Sequence, residues 1–323
     1  MSDLGEFHDD LRSLARELLS KGGDWQQLVD AGWVGLEVPE SLGGAEATFV
    51  ETAIVLEELG RAAVPSRFLG TVLAVGALTA LSPNGSRDGL LERVVAGTSA
   101  AFASGFTVSG GVVSGRAEFV PDADGAEIVL LLADDGGTPV VLTSTDLTVT
   151  AQPVLDETRA LAVVTAEGAS VSELWPVPVD PSTLSDRGAV AVACDSLGVA
   201  EAMLSATVDY VKVRQQFGRP IGSFQAVKHA CADMLVHTSV ARQLVDAAVT
   251  QVAEGVDASV AVAMAKSYAC ETAVDVVGKA MQLHGGIGYT WESGVHAYLK
   301  RAMLNRALFG SPAAHRQRVA ARY

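Results

Sequence analysis

The hydrophobic period of this chain changes twice along its length, and that change limits the possible folds more than any other feature. From Leu4 to about Val95 apolar residues recur at helical spacing, as at Phe49, Ala53, Leu56 and Leu59, interrupted by turn signals at Gly43 and Gly44, at Pro65 and in the SPNGS stretch from Ser82. From about Ala101 to Pro178 the pattern becomes short β-rich runs, VVSGRAEFV, AEIVLLLA, TPVVLTS and ALAVVTA, separated by turns such as PDADG and ADDGG. From Gly188 the helical period returns, with Val227, Cys231, Met234, Leu235, Thr238, Ala241, Leu244, Val245 and Ala248 on one stripe. The expectation is an α+β chain, mainly α. It has an N-terminal helical domain over 1–100, a small antiparallel β domain over 101–180 and a C-terminal four-helix bundle over 181–323.

At 323 residues, 49% hydrophobic and 19% charged, the chain can bury a large core. A net charge of −15 without any Lys/Arg-rich run speaks against nucleic-acid binding, which needs clustered cations against phosphates. The three cysteines, Cys194, Cys231 and Cys270, lie in apolar helical patterns without Cys-x-x-Cys spacing and are expected as buried thiols in the cytoplasm. The amphipathic start, MSDLGEFHDDLRSLARELL, lacks the apolar core of a signal peptide, and Leu69–Leu81 and Ile128–Ala133 fall short of the ~18 residues of a membrane span. No membrane segment is expected. The six histidines show no metal-ligand spacing, so no metal is expected either.

Two long C-terminal segments carry the chemistry: RQQFGRPIGSFQAVKHACADM from Arg214 and QLHGGIGYTWE from Gln282, with LFGS following at Leu308 to Ser311. Arg214 can grip a phosphate through charge-assisted hydrogen bonds, Phe217 can wall a flat ring, and glycines allow close backbone approach. Each residue also has a plainer reading. Arg214 suits the C-terminal end of a helix; Gly285, Gly286 and Gly288 suit a turn that ends one; Gln225 and Gln282 suit a solvated helix face. Their joint occurrence favours a ligand site over those separate readings.

Together these segments resemble the FAD-binding signatures of the acyl-CoA dehydrogenase family. The helical, β, helical order is also that family's order. The stretches AGWVGLEVPESLGGAEATFVETAIVLEELGRA from Ala31 and GGVVSGRAEFVPDADGAEIVLLLA from Gly110 resemble its N-terminal region and its β-domain opening. The resemblance implies that Arg214, Gln216, Phe217 and Gln225 meet the FAD of a neighbouring subunit. Gln282, Gly285 and Gly286 take the corresponding positions of the second motif.

It also implies a reaction, the α,β-dehydrogenation of a CoA thioester, in which a carboxylate base takes the α proton while the β hydride passes to flavin. The family commonly carries Tyr-Glu-Gly-Thr with the glutamate as base. Here LFGS keeps Gly310 and a hydroxyl at Ser311 but puts Phe309, which cannot accept a proton, at the glutamate position. Some members place the base near the start of the first C-terminal helix, where the nearest carboxylates are Asp186, which reads as a helix N-cap, and Asp195, which reads as a polar-face residue. Glu271 and Glu292 read as structural. The family's Thr-Glu-Pro…Gly-Ser-Asp loop has no counterpart in GTSAAFASGFTVSGG from Gly97.

The family includes actinobacterial heteromers, some degrading steroid side chains, in which a catalytic subunit pairs with a shorter partner. This chain resembles the shorter one. That reading gives no catalytic residue here, FAD as cofactor, and a catalytic acyl-CoA dehydrogenase subunit, an acyl-CoA and an electron-transfer flavoprotein as partners. Two alternatives stay open from the sequence: a self-sufficient homotetrameric acyl-CoA dehydrogenase with a relocated base, and a non-redox module that binds CoA thioesters or serves structure.

Overall fold

The computed structural model describes residues 2–322. Five helices come first: α1 (Ser2–Ser20), α2 (Trp25–Asp30), α3 (Phe49–Ala62), α4 (Phe68–Thr79) and α5 (Gly85–Val95). Six strands follow, β1 (Ala100–Ser109), β2 (Val112–Pro121), β3 (Ile128–Asp135), β4 (Thr138–Ser144), β5 (Thr148–Ala151) and β6 (Leu161–Pro176). The C-terminal part holds α6 (Ser182–Val213), a two-strand hairpin of β7 (Gln215–Gln216) and β8 (Arg219–Pro220), then α7 (Gln225–Ala253), α8 (Ser259–His284), α9 (Val295–Ala307) and α10 (Pro312–Ala320). These elements group into two compact units: one of α1, Ala53–Val64 and the chain from Ala189 onward, the other of Lys21–Thr52 and Pro65–Gly188.

Local chemistry explains several boundaries. Asp24 and Gln27 form a reciprocal capping box at the start of α2. The SPNGS turn places Asn84 at the N-cap of α5, where its side chain accepts from the Arg87 amide. Ser311 caps α10, with Pro312 in its first turn.

In the second unit α4 is apolar on all sides and buried from Phe68 to Leu78, as expected of a helix enclosed in a core. The sheet runs in the order β2-β1-β3-β4-β6-β5, and β6 also pairs with β2, so five strands close on themselves with β5 as an extra edge. The first part of β6 takes β2 and β5, from Leu161 to Ser170; its end, Val171 to Pro176, takes β4. The pairings are antiparallel except β1 with β3, which is parallel. Alternating residues such as Phe106, Val113, Leu131, Val140, Leu142 and Val164 form the sheet's apolar core.

In the first unit α3 and α6 cross closely at two glycines. A Cβ on Gly60 would collide with the Asp195 carbonyl, and one on Gly198 with the Glu57 carbonyl. Val199, Met203, Met234, Ala273, Val276, Val277, Val295 and Ala302 fill the core among α6, α7, α8 and α9. The sequence reading named only shorter apolar segments. Among the described residues α6 is the one helix long and apolar enough to cross a membrane, yet 72% of its apolar window is buried inside the protein, as in a core helix.

Candidate functional site

Helix α6 ends at Val213, with the Arg214 amide still donating to the Tyr210 carbonyl at 2.9 Å. The next six residues double back as a hairpin, Gln215 opposite Pro220 and Gln216 opposite Arg219, and the Ile221 amide closes its base on the Arg214 carbonyl at 2.8 Å. Both tip residues have positive φ, +53° at Phe217 and +77° at Gly218. That turn type matches the strand twist but favours Asn-Gly, and an aromatic in its first position stores roughly 1–3 kcal/mol of strain. Phe217 is also 91% exposed, so no burial within the chain offsets that strain. Its ring stands edge-to-face with Phe224, at 6.0 Å between centroids, while the Arg219 guanidinium lies 4.2 Å over Phe224. Arg214, Gln216 and Gln225 are all exposed, and the Arg214 guanidinium has no side-chain partner among the described residues. Gln225 is the first residue of α7, whose N-terminus receives no side-chain cap.

The second segment begins where α8 ends. Gly285 has φ +63° and ψ −142°, a combination glycine adopts freely and other residues do not, and its amide donates to the Gln282 carbonyl. Gln282, Gly285 and Gly286 are exposed, and a Cβ added to either glycine would meet nothing within 4 Å. The turn then folds back tightly, for a Cβ on Gly288 would lie 2.5 Å from the Met281 carbonyl oxygen. Tyr289 and Trp291 stand beyond it, 72% and 71% exposed.

Two residues that the sequence reading passed over join these segments. Tyr210 stacks on His284 with 4.4 Å between ring centroids and 19° between planes, and its hydroxyl donates to the His284 carbonyl at 3.3 Å. His284 Nδ1 donates to the Ala280 carbonyl at 2.8 Å, which sets the ring's orientation. The available sequence signal was positional: one aromatic residue a helical turn before Arg214, another next to Gly285.

Between α9 and α10 the chain turns through Phe309 at φ +54° and Gly310 at φ +96°. Two buried donors hold this turn. His315 Nε2 donates to the Phe309 carbonyl at 2.8 Å, and the fully buried Lys266 ammonium donates to the carbonyls of Asn305 and Arg306 at 2.9 and 3.2 Å. Burial lowers the Lys266 pKa, with the Cys270 thiol opposing that effect.

Two of the candidate carboxylates, Asp195 and Asp186, lie elsewhere than the sequence reading put them. Asp195 is not on a polar face: it is completely buried and accepts from Arg301 Nε at 2.9 Å, Arg301 Nη2 at 2.7 Å and Asn305 Nδ2 at 2.6 Å. Pairing with α9 overrides the local polarity pattern, and the carboxylate is engaged by three donors and has no solvent access. Asp186 is not a cap either, because α6 begins four residues earlier and Asp180 Oδ1 takes the Ser182 amide at 2.8 Å; Asp186 is buried inside the helix. Glu271 binds Arg316 at 2.6 Å, and Glu292 is exposed in a 3₁₀ turn. Cys194 and Cys270 are buried, and burial raises both thiol pKa values; Cys231 is only half-buried.

Comparison with known proteins bears on the family and the fold. Residues 7–98 match the family described as "Acyl-CoA dehydrogenase, N-terminal domain", and residues 182–323 match "Acyl-CoA dehydrogenase, C-terminal domain". The chain is 38% identical over 291 residues to acyl-CoA dehydrogenase IpdE2 of Mycolicibacterium smegmatis, covering 89% of this chain and 84% of that protein. Among solved structures, the Tcur3481-Tcur3483 steroid ACAD G363A variant superposes with a TM-score of 0.88 at 26% identity, covering 98% of both chains. The ChsE4-ChsE5 complex from Mycobacterium tuberculosis superposes with a TM-score of 0.88 at 25% identity, covering 97% of this chain and 96% of that one. With most of its length matched at this identity, and with the helical, β, helical order of the fold, the chain belongs to the acyl-CoA dehydrogenase family.

Proposed function

We propose that this chain is the non-catalytic subunit of a heterotetrameric FAD-dependent acyl-CoA dehydrogenase, completing a flavin site whose base and remaining contacts come from a catalytic partner subunit. The observation that carries this reading is the pairing of an outward-facing, strained Phe217 hairpin with an apolar Phe309 where the family has its glutamate. Asp195, the buried alternative, is consumed by Arg301 and Asn305, which disfavours a relocated base in a self-sufficient enzyme. The heteromeric ChsE4-ChsE5 complex and the Tcur3481-Tcur3483 steroid enzyme among its structural relatives support a two-subunit arrangement acting on a lipid or steroid acyl-CoA.

The residues fit the cofactor. Arg214 has an exposed guanidinium suited to a pyrophosphate, Phe217 exposes a face suited to a flat ring, and Gly285 and Gly286 leave open backbone for close approach. Gln216, Gln225 and Gln282 offer exposed amides beside them. Bound FAD supplies the electron acceptor for α,β-dehydrogenation of the thioester. This chain binds and orients; the proton is handled by the partner. An electron-transfer flavoprotein reoxidises the complex, and the free thiols suit a reducing cytoplasm.

The test is a flavin absorption spectrum with mass determination, on the chain purified alone and after co-expression with an acyl-CoA dehydrogenase encoded beside it. The expected result is a colourless chain alone and a mixed complex with about one FAD per two chains, turning over an acyl-CoA. Full flavination of the isolated chain would overturn the reading. A complex that stays colourless would point instead to a module without redox function.

A further inference from the structure

We propose that the stacked pair Tyr210 and His284 is the positioning device that sets the span between the Phe217 hairpin and the Gly285 turn, so that both reach one dinucleotide at once; this rests on the function proposed above. Both segments are exposed; the helices that carry them, α6 and α8, share a core through Val199, Met203, Ala273, Val276 and Val277, and the pair lies beyond that core, at the ends from which the segments leave. Phe217 is 91% exposed, and the glycines at 285 and 286 stand clear of other atoms. The pair bridges them at their roots. Tyr210 occupies the last turn of α6, and its backbone carbonyl receives the Arg214 amide at 2.9 Å, so the stacked residue lies one helical turn from Arg214. Its hydroxyl holds the final carbonyl of α8, one residue before the chain breaks into the glycine-only conformation at Gly285.

The stack itself is restrained from both sides. His284 cannot rotate freely because Nδ1 is tied to the Ala280 carbonyl, and the Gly288 backbone folds back against Met281 and the His284 Cβ. Near-parallel rings at 4.4 Å resist sliding more than aliphatic packing does, since offset stacking has a preferred geometry. One contact thus joins residues 74 positions apart, each a few residues from its own ligand-facing segment.

A double-mutant cycle on the flavinated complex tests this, with FAD affinity read by fluorescence and the thermal midpoint of the complex measured in parallel. Tyr210→Ala and His284→Ala are each expected to weaken FAD binding about tenfold, and the double variant no more than either alone, as for two residues acting through one contact. His284→Phe, which keeps a stacking ring, and Tyr210→Phe, which keeps the stack without the hydroxyl, should recover most of the affinity. A general loss of structure would lower the midpoint without that pattern of rescue and non-additivity. Additive losses would overturn the proposal, as would unchanged affinity in the alanine variants while Arg214→Ala weakens binding. If Arg214→Ala and Phe217→Ala also leave FAD affinity unchanged, the site itself is misread and the pair's role falls with it.

Discussion

Phe217 and Asp195 show two ways in which a single residue departs from what its neighbours suggest. Phe217 combines a left-handed backbone with near-complete exposure, both unfavourable for an aromatic residue, at the tip of a hairpin aimed at solvent. Replacing it with Asn, which suits the turn, is expected to raise the stability of the isolated chain by about 1 kcal/mol while weakening FAD binding in the complex. Urea unfolding and flavin titration report the two effects separately. Asp195 has the opposite character, a carboxylate without solvent contact held by three donors from α9. Asp195→Ala leaves Arg301 buried and uncompensated and is expected to cost about 3–5 kcal/mol in urea unfolding. A loss below 1 kcal/mol would contradict the buried pair.

Helices α3 and α6 approach closely enough that each presents a glycine to the other's backbone, and a methyl group at either place meets a carbonyl that cannot move aside. Gly198→Ala is expected to destabilise by about 1–3 kcal/mol, read by thermal or urea unfolding, because the helices must separate. The same helices meet α1 and α7 in a charge network. Arg242 binds Glu57 through two hydrogen bonds of 2.6 and 2.7 Å, Arg12 reaches Glu57 at 2.9 Å, and Arg16 binds Glu58 through two of 2.9 Å. Burial acts to raise the Glu57 pKa, but the hydrogen bonds and charges of Arg242 and Arg12 outweigh it and hold the carboxyl below its usual value. With the folded pKa below the unfolded one, the contribution is complete above the ordinary glutamate pKa of about 4.3 and is lost as pH falls through the folded value. The thermal midpoint of the wild type should therefore fall more steeply below that pH than that of Glu57→Gln, which should be less stable at neutral pH. Parallel curves would exclude Glu57 as the titrating group.

At the scale of the molecule, the proposed division of labour makes the Phe309 turn a test case. Its backbone is well held, by His315 at the Phe309 carbonyl and by Lys266 at the end of α9, so a carboxylate introduced there would have a defined place. Yet Phe309→Glu is expected to leave the isolated chain colourless and inactive, and to leave turnover of the complex within about twofold, because this substitution restores a base without a flavin to serve. Acyl-CoA oxidation by the isolated variant would mean that this chain holds a complete site of its own.

The sequence by itself determined the succession of helices, strands and helices, because a period of 3.6 or 2 is a local property that the sequence shows directly. It also determined the family, through two long motifs, and the apolar residue at the base position. The closure of the sheet was not legible, since it depends on β6 pairing with β2 and β4 along different stretches of its length. Nor was the burial of Asp195, whose partner lies 106 residues later, or the stack of Tyr210 on His284 across 74 residues. Polarity pattern and motif spacing report the local helix or strand alone. Which charge meets which, and which rings touch, is decided when helices far apart in the chain are packed at van der Waals distance, and there only the tertiary structure selects the partner.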